Sequence, residues 1–310
     1  MLTITLNPSV DIRYNIDNFK TGGVFRTSDF EYTPGGKGLN VTKVITALNE
    51  RVLATGFLGG NSGQFIKSKL VELNINHKFL PIRDNTRQCI AILSTDGSQT
   101  EILEPGPLIN EKARNEFFSL YETLLKDVEV VCASGSLPKG LEADTYKLLI
   151  EKANKLGKKF ILDTSGDALV KGIEAKPYLI KPNKSELESL IGKKITSEED
   201  VIASVVPLLN KGIEFIVVSL GGNGSLVFND QFMYRITLPQ VEVKNPVGSG
   251  DSMIAGFAVA LKRDYDTIKM LRLATACGTA NAMEKETGKI ALSNINYLSD
   301  LINIEKVQFL

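Results

Sequence analysis

The chain has 310 residues, 43% of them apolar, and its 36 acidic and 36 basic side chains leave no net charge. That length and composition suffice for one large core, or for a main domain with a small appendage. The even charge balance, interspersed along the chain, shows no basic excess or stripe of the kind a nucleic-acid binder carries.

The N-terminus has no basic flank followed by an apolar stretch of signal-peptide length, and no apolar run approaches the ~20 residues that cross a bilayer. A cytoplasmic protein without a membrane partner is expected. Cys89, Cys132 and Cys277 lie far apart in apolar surroundings, without CxxC spacing, and His77 is the single histidine. Neither a disulfide framework nor a Cys/His zinc site is expected. The cysteines read as small core residues and His77 as a surface residue.

Apolar, β-branched runs recur with helical patterns between them. Strands are predicted over residues 2–6, 52–57, 128–133, 159–163, 178–181 and 215–220. Several are apolar on both faces, as a buried parallel strand is. Amphipathic helices are predicted over 143–156 and 198–210, closed by Gly157 and Gly212, since a glycine just past the last turn is a common stop. Strand–helix alternation with short connections predicts a parallel sheet covered by helices on both faces. Two stretches break this rhythm. Residues 13–33 and 88–104 read as strand and turn, and in the second CIAILS and QTEIL flank Thr95-Asp96-Gly97, a hairpin signal. Both are assigned to a small β lid built from two insertions, inside one functional unit spanning 1–310.

The segment with most chemistry is Asn245-Pro-Val-Gly-Ser-Gly-Asp251-Ser252, followed by MIAGFAVALK. Met253, Ile254, Phe257, Ala258 and Leu261 share one helical face, so a helix starts at about Ser249. Gly248 and Gly250 allow a tight turn that aims several N–H groups at one point, and a helix N-terminus is an anion site. A carboxylate there would repel phosphate. It makes sense as a base that takes a proton from an attacking hydroxyl while the N–H groups stabilise a transferring phosphoryl group. An ordinary first-turn acid accounts for Asp251 equally well.

Five further signals accompany it. Pro34-Gly-Gly-Lys37-Gly-Leu-Asn40 opens a helix through Val44, Ile45 and Leu48. It departs from GxxxxGK[ST], yet it offers close approach, a point charge and an amide; the alternative is a glycine-rich turn with a solvated lysine. Lys181-Pro-Asn183-Lys-Ser-Glu186 follows a strand at the end where α/β sheets bind ligands. Asn183 and Glu186 suit a metal-bound phosphate, or simply a helix cap with a first-turn acid. Ser219-Leu-Gly221-Gly-Asn-Gly224 suits backbone contact with a nucleotide, or a hairpin. Asp11, after the first strand, suits sugar hydroxyls, and Arg87, before the strand with Cys89, suits a bidentate phosphate clamp; both also read as solvated charges. EKET after Met283 reads as the end of a helix.

In this order, NPSVD, GGKGLN, TRQCIAIL, SGSLPKG, IKPNKSE, VSLGGNGS and NPVGSGDS resemble the ribokinase-like carbohydrate kinases of the phosphofructokinase B group over essentially the whole chain. Within that group the pattern is most similar to tagatose-6-phosphate kinases, with 1-phosphofructokinases next. The resemblance implies a three-layer α/β/α sandwich with a mostly parallel central sheet and a β lid, and transfer from ATP to a sugar phosphate with Mg²⁺. It makes Asp251 the base and Gly248, Ser249 and Gly250 the anion hole. It places Asp11, Gly36, Lys37, Asn40, Arg87 and Ser136 around the sugar phosphate, with Lys37 and Arg87 on its existing phosphate. Lys181, Asn183, Ser219, Gly221 and Gly224 go to the nucleotide, Glu186 to Mg²⁺ through water, and Asn281 to the adenine side. A non-catalytic sugar-phosphate sensor would lack the acid at 251. A dinucleotide oxidoreductase would show GxGxxG after the first strand, where NPSVD stands. The lid also offers a homodimer contact, since exposed strand edges tend to be covered.

Overall fold

The computed structural model describes residues 1–308. The chain opens with β1 (Leu2–Thr5), departs into β2 (Ser9–Ile16) and β3 (Phe30–Gly35), and returns through α1 (Lys37–Ala47) to β4 (Leu53–Gly59). After α2 (Gly60–Glu72), the short strands β5 (Asn76–His77) and β6 (Leu80–Ile82) both pair with β4. The hairpin β7 (Arg87–Ser94) and β8 (Gln99–Leu103) follows. Helix and strand then alternate: α3 (Glu111–Leu125), β9 (Val130–Ser134), α4 (Thr145–Lys155), β10 (Lys159–Asp163), α5 (Gly166–Glu174) and β11 (Leu179–Ile180). Next come α6 (Lys184–Ile191), α7 (Glu198–Leu209) and β12 (Phe215–Ser219). Last are β13 (Ser225–Phe228), β14 (Phe232–Thr237), α8 (Ser249–Lys262), α9 (Thr267–Ala282), α10 (Leu292–Leu301) and β15 (Asn303–Gln308).

The central sheet runs β15-β14-β13-β12-β11-β10-β9-β1-β4-β5, parallel from β12 through β5 and antiparallel from β12 to β15. Alternate side chains of its strands supply two separate cores, as the two-residue period dictates. Cys132 and Ile161 point to one face, where they pack with α1, α8, α9 and α10. Val131, Ala133, Phe160 and Leu162 point to the other, under α3 to α7. A strand buried on both faces has no room for polar alternation, hence the unbroken VVCA and FIL runs. This is the α/β arrangement expected, with a mostly parallel sheet and a small separate one.

The small sheet has the order β3-β2-β7-β8. Its strand β2 begins at Ser9, earlier than the strand-and-turn segment expected from residue 13, because the NPSVD run pairs at once with both neighbours: Ser9 lies opposite Gly35 and Arg87, and Asp11 opposite Thr33 and Cys89. Asp11 is therefore a strand residue of the small sheet. The Thr95–Gly97 turn closes the β7–β8 hairpin, with Gly97 at φ 83°. Three readings change. EKET lies beyond α9, as a turn. His77 is half-buried in the edge strand β5, where Nδ1 lies 3.1 Å from the Ile75 carbonyl oxygen. Cys89 is half-exposed on the cleft side of β7, whereas Cys132 and Cys277 are buried. No helix among the described residues is long and apolar enough to cross a membrane.

Strand β1 sits between β4 and β9, so the chain winds outward in both directions from it. Such a reversal leaves a crevice beyond the carboxyl ends of the strands. The small sheet stands over that crevice.

Candidate active site

A cleft of about 2250 Å³ lies between the strand ends and the small sheet. Asp251, in the first turn of α8, is on its floor and only 6% exposed. Gly248 caps the helix at φ 85°, a left-handed conformation that a side chain disfavours. A Cβ on it would also lie 2.5 Å from Thr287 Cγ2. The turn leaves the Gly250 and Asp251 amides in the first helical turn, where no intrahelical acceptor exists. Gly250 lets the Lys181 amine settle over the helix end: a Cβ there would lie 2.9 Å from Nζ.

Asn40 Nδ2 donates to Asp251 Oδ2 at 2.9 Å. Burial pushes the Asp251 carboxyl up to about 6, with the Asp163 charge acting the same way and Lys37, the Asn40 hydrogen bond and Lys181 opposing. A buried acid held near 6 is ionised at neutral pH and still basic enough to accept a proton.

Asp163, at the end of β10, was not picked out from the sequence. Its side chain is 1% exposed and stands between two ammonium groups, 3.6 Å from Lys37 Nζ and 3.5 Å from Lys181 Nζ. Neither of its carboxylate oxygens has a hydrogen-bond partner. The signal was available: KFILD ends a buried strand on an acid, at the sheet edge where ligands bind. Lys37 is raised above the usual lysine range, first by Asp163, then by Asp251 and Glu186, against burial. Its amine thus belongs to the carboxylate cluster around Asp251, and Arg87 faces other groups.

On the small-sheet side of the cleft, the Asp11 carboxyl packs against the Gly35 backbone, where a Cβ would lie 2.0 Å from Cγ. Ser9 Oγ donates to Asp11 Oδ1 at 2.6 Å. Burial raises the Asp11 carboxyl, opposed by the Ser9 bond and then by the Lys43 and Arg87 charges. Arg87 Nη1 donates to the Glu104 carbonyl at 2.9 Å, while its buried Nε has no partner. Gly36, at φ 101°, joins β3 to α1 and so brings Lys37 and Asn40 to the cleft.

On the opposite side, Asn183 and Glu186 form a capping box on α6: Asn183 Oδ1 accepts from the Glu186 amide at 2.8 Å, and Glu186 Oε2 from the Asn183 amide at 2.9 Å. Both line the cleft. The Ser219–Gly224 segment is a hairpin turn between β12 and β13 and lines the cleft as well, so its two readings describe one feature. Val243, Val247, Ala282 and Ile290, with Thr275 and Gly278, add an apolar share to the lining of the same cleft. Two residues stand apart. Asn281 is fully buried behind this wall, bonded to Ser252, Val247 and Gly288, and does not line the cleft. Ser136 is exposed on the loop after β9 and accepts from Asn7 Nδ2 at 3.2 Å.

Magnesium binds through one or two carboxylates together with substrate phosphates. Asp163 fits such an ion, since its two oxygens are buried and accept no hydrogen bond, each lying only within ion-pair distance of a lysine. No group of three or more His, Cys, Asp or Glu side chains gathers as a cage among the described residues.

The family model for pfkB family carbohydrate kinases matches residues 4–293. The chain belongs to that family. Escherichia coli phosphofructokinase-2, solved with potassium, is 28% identical over 97% of this chain and 98% of its own, with a TM-score of 0.91. A Staphylococcus aureus protein provisionally named a phosphofructokinase is 30% identical over 99% of each chain, with a TM-score of 0.84. A Thermotoga maritima protein provisionally named a 1-phosphofructokinase is 26% identical over 99% of each, with a TM-score of 0.90. The chain is a carbohydrate kinase of the pfkB type, and these neighbours are named phosphofructokinases. Kinases of this family use ATP and generally require Mg²⁺.

Proposed function

We propose that the protein transfers the γ-phosphoryl group of ATP to tagatose 6-phosphate, giving tagatose 1,6-bisphosphate. The observation that carries the chemistry is Asp251: a buried carboxylate held near 6 at the amino end of α8, beside Lys37, Lys181 and Asp163. The motif resemblance to tagatose-6-phosphate kinases carries the choice of sugar.

Asp251 accepts the proton of the attacking hydroxyl. The amides of Gly250 and Asp251 and the Lys181 ammonium face the charge that grows on the transferring group. Lys37, drawn toward Asp163, serves that same group, which leaves Arg87 and its unspent Nε for the phosphate already on the sugar. Asp11 and Asn40 hold the sugar hydroxyls. The nucleotide lies along Asn183, Ser219 and Gly221, its base against the apolar share of the lining. Asp163 and Glu186 would hold Mg²⁺, which when bound neutralises phosphate charge. The small sheet acts as the lid that excludes water, and a second copy of the chain covers its apolar edges.

Comparing kcat/KM for tagatose 6-phosphate, fructose 1-phosphate and fructose 6-phosphate tests the assignment. Preference for either fructose ester overturns the choice of sugar. The likeness to a 1-phosphofructokinase makes fructose 1-phosphate the alternative. Absence of turnover on all three would leave the sensor reading.

A further inference from the structure

Helix α1 brings a second lysine to the cleft. Lys43 lies three residues after Asn40, on the same helical face, and lines the cleft. Its amine donates to the Pro34 carbonyl at 3.3 Å and to the Thr287 carbonyl at 3.1 Å. Pro34 is the next-to-last residue of β3, two residues before the Gly36 cap of α1. Thr287 belongs to the turn after α9, and that turn lies directly on α1: a Cβ on Gly288 would sit 2.9 Å from Lys43 Cε and 3.1 Å from Asn40 Cα. The same turn accepts from the head of the anion-hole segment, through Asn245 Nδ2 to the Lys285 carbonyl at 3.0 Å. The amine is thus fixed where the small sheet, the Asn40 face of α1 and the Asp251 segment meet.

Burial pushes this amine below the usual lysine range, with Asp11, Asp251, Glu286 and Glu31 acting the other way. Enclosing an ammonium among neutral acceptors is costly, and nothing structural demands it here, since a neutral donor would hold two carbonyls. An ammonium also has three N–H bonds. Two are spent, and the third finds no acceptor among the described residues.

We propose that Lys43 is a further substrate-binding residue, whose third N–H donates to an oxygen of the acceptor sugar while Pro34 and Thr287 hold the amine in place. The inference rests on the kinase reading above and adds a sugar contact that sits on the Asp11 side of Asp251. A fixed donor there orients the sugar ring and so selects which hydroxyl faces the base.

The test combines kinetics with ligand-induced thermal shifts on Lys43→Met and Lys43→Gln. The expected result is a KM for the sugar phosphate raised at least ~10-fold, a KM for ATP within about twofold of wild type, and loss of the sugar-induced shift alone. A merely structural role would lower the unliganded Tm and weaken both ligands alike, and that outcome overturns the inference. So does a sugar KM that stays at the wild-type value. If Lys43→Met fails to fold, Lys43→Gln retains donors for both carbonyls and decides by the same criteria. Wild-type protein that turns over none of the sugar phosphates defeats the proposed function and this inference together. Normal wild-type turnover with unaffected variants defeats this inference alone.

Discussion

The Asn40 amide donates to Asp251 at 2.9 Å across 211 positions of sequence, which joins the helix after β3 to the helix that carries the proposed base. The bond favours the ionised carboxylate against burial, and a base must be ionised to work. Activity should therefore fall as pH drops through about 6, the value at which Asp251 takes up its proton. A profile of kcat/KM, which reports the free enzyme, should show that acid limb. Asn40→Ala should move the limb upward, because one stabilising interaction of the charged form is lost. A limb unchanged by that substitution would separate Asn40 from the base.

Asp251→Asn should lower turnover by at least ~100-fold, the scale of a positioned base, and leave ATP affinity nearly intact. It should also stabilise the fold at neutral pH. A carboxyl raised from near 4 in the unfolded chain to about 6 in the folded one binds its proton more tightly when folded. Stability is therefore lost as pH rises between those values, and above about 6 the penalty is complete, on the order of 3 kcal/mol. The neutral amide escapes it. Thermal melts at pH 7.5 should show the variant more stable than wild type, and at pH 4 the gap should close. A variant less stable at both pH values would contradict the burial account.

Asp163→Asn should raise the Mg²⁺ concentration needed for half-maximal rate by ~10-fold or more. Both Asp163 oxygens are buried and lack hydrogen bonds, so the ion would supply what the protein does not. Magnesium titrations at saturating ATP read this directly, and an unchanged requirement would assign Asp163 to lysine pairing alone.

Asp163 also marks the limit of what the sequence discloses. The parallel strands, the 95–97 turn and the start of α8 at Ser249 were legible because each follows from local pattern: two-sided apolar runs, a turn tripeptide, glycines before a helical face. What joins Lys37 to Asp163 is different. It depends on which strand lies beside β1, and no local pattern states that β10 is two strands away. For the same reason the resemblance sets Lys37 beside Arg87 without showing that its amine also lies against Asp163. Lys43 has no signal of its own in the sequence, because the turn at Thr287 that closes over it lies 244 positions away. Asn281 failed in the opposite way, since its amide is consumed within the wall of the cleft.

Gly35→Ala should raise the KM for the sugar phosphate by ~10-fold or more without changing the KM for ATP. The added Cβ would fall 2.0 Å from the Asp11 carboxyl carbon, so the carboxylate must shift by an ångström or more, and displacements of that size lower rates steeply. The backbone at Gly35 is not in the left-handed region, so the effect would come from contact with Asp11 and not from strain. Equal changes for both substrates would place the damage in the fold.

The two edges of the small sheet, β3 and β8, carry exposed apolar side chains: Phe30 and Tyr32 on one, Ile102 and Leu103 on the other. Phe30 and Tyr32 stack edge to face at 5.8 Å, and Tyr32 continues onto Phe65 of α2 at 6.5 Å, so the aromatic surface is ordered. Unpaired edges with apolar side chains invite association. In sedimentation the chain of 33.9 kDa should run as a dimer or larger. The double variant Phe30→Asp with Ile102→Asp should shift it to the monomer, because a charge buried in that contact has no partner. Its far-UV spectrum should be unchanged, since neither side chain is part of the buried core. A wild-type monomer would leave these edges without the proposed cover, and a double variant that remains dimeric would move the contact to another face.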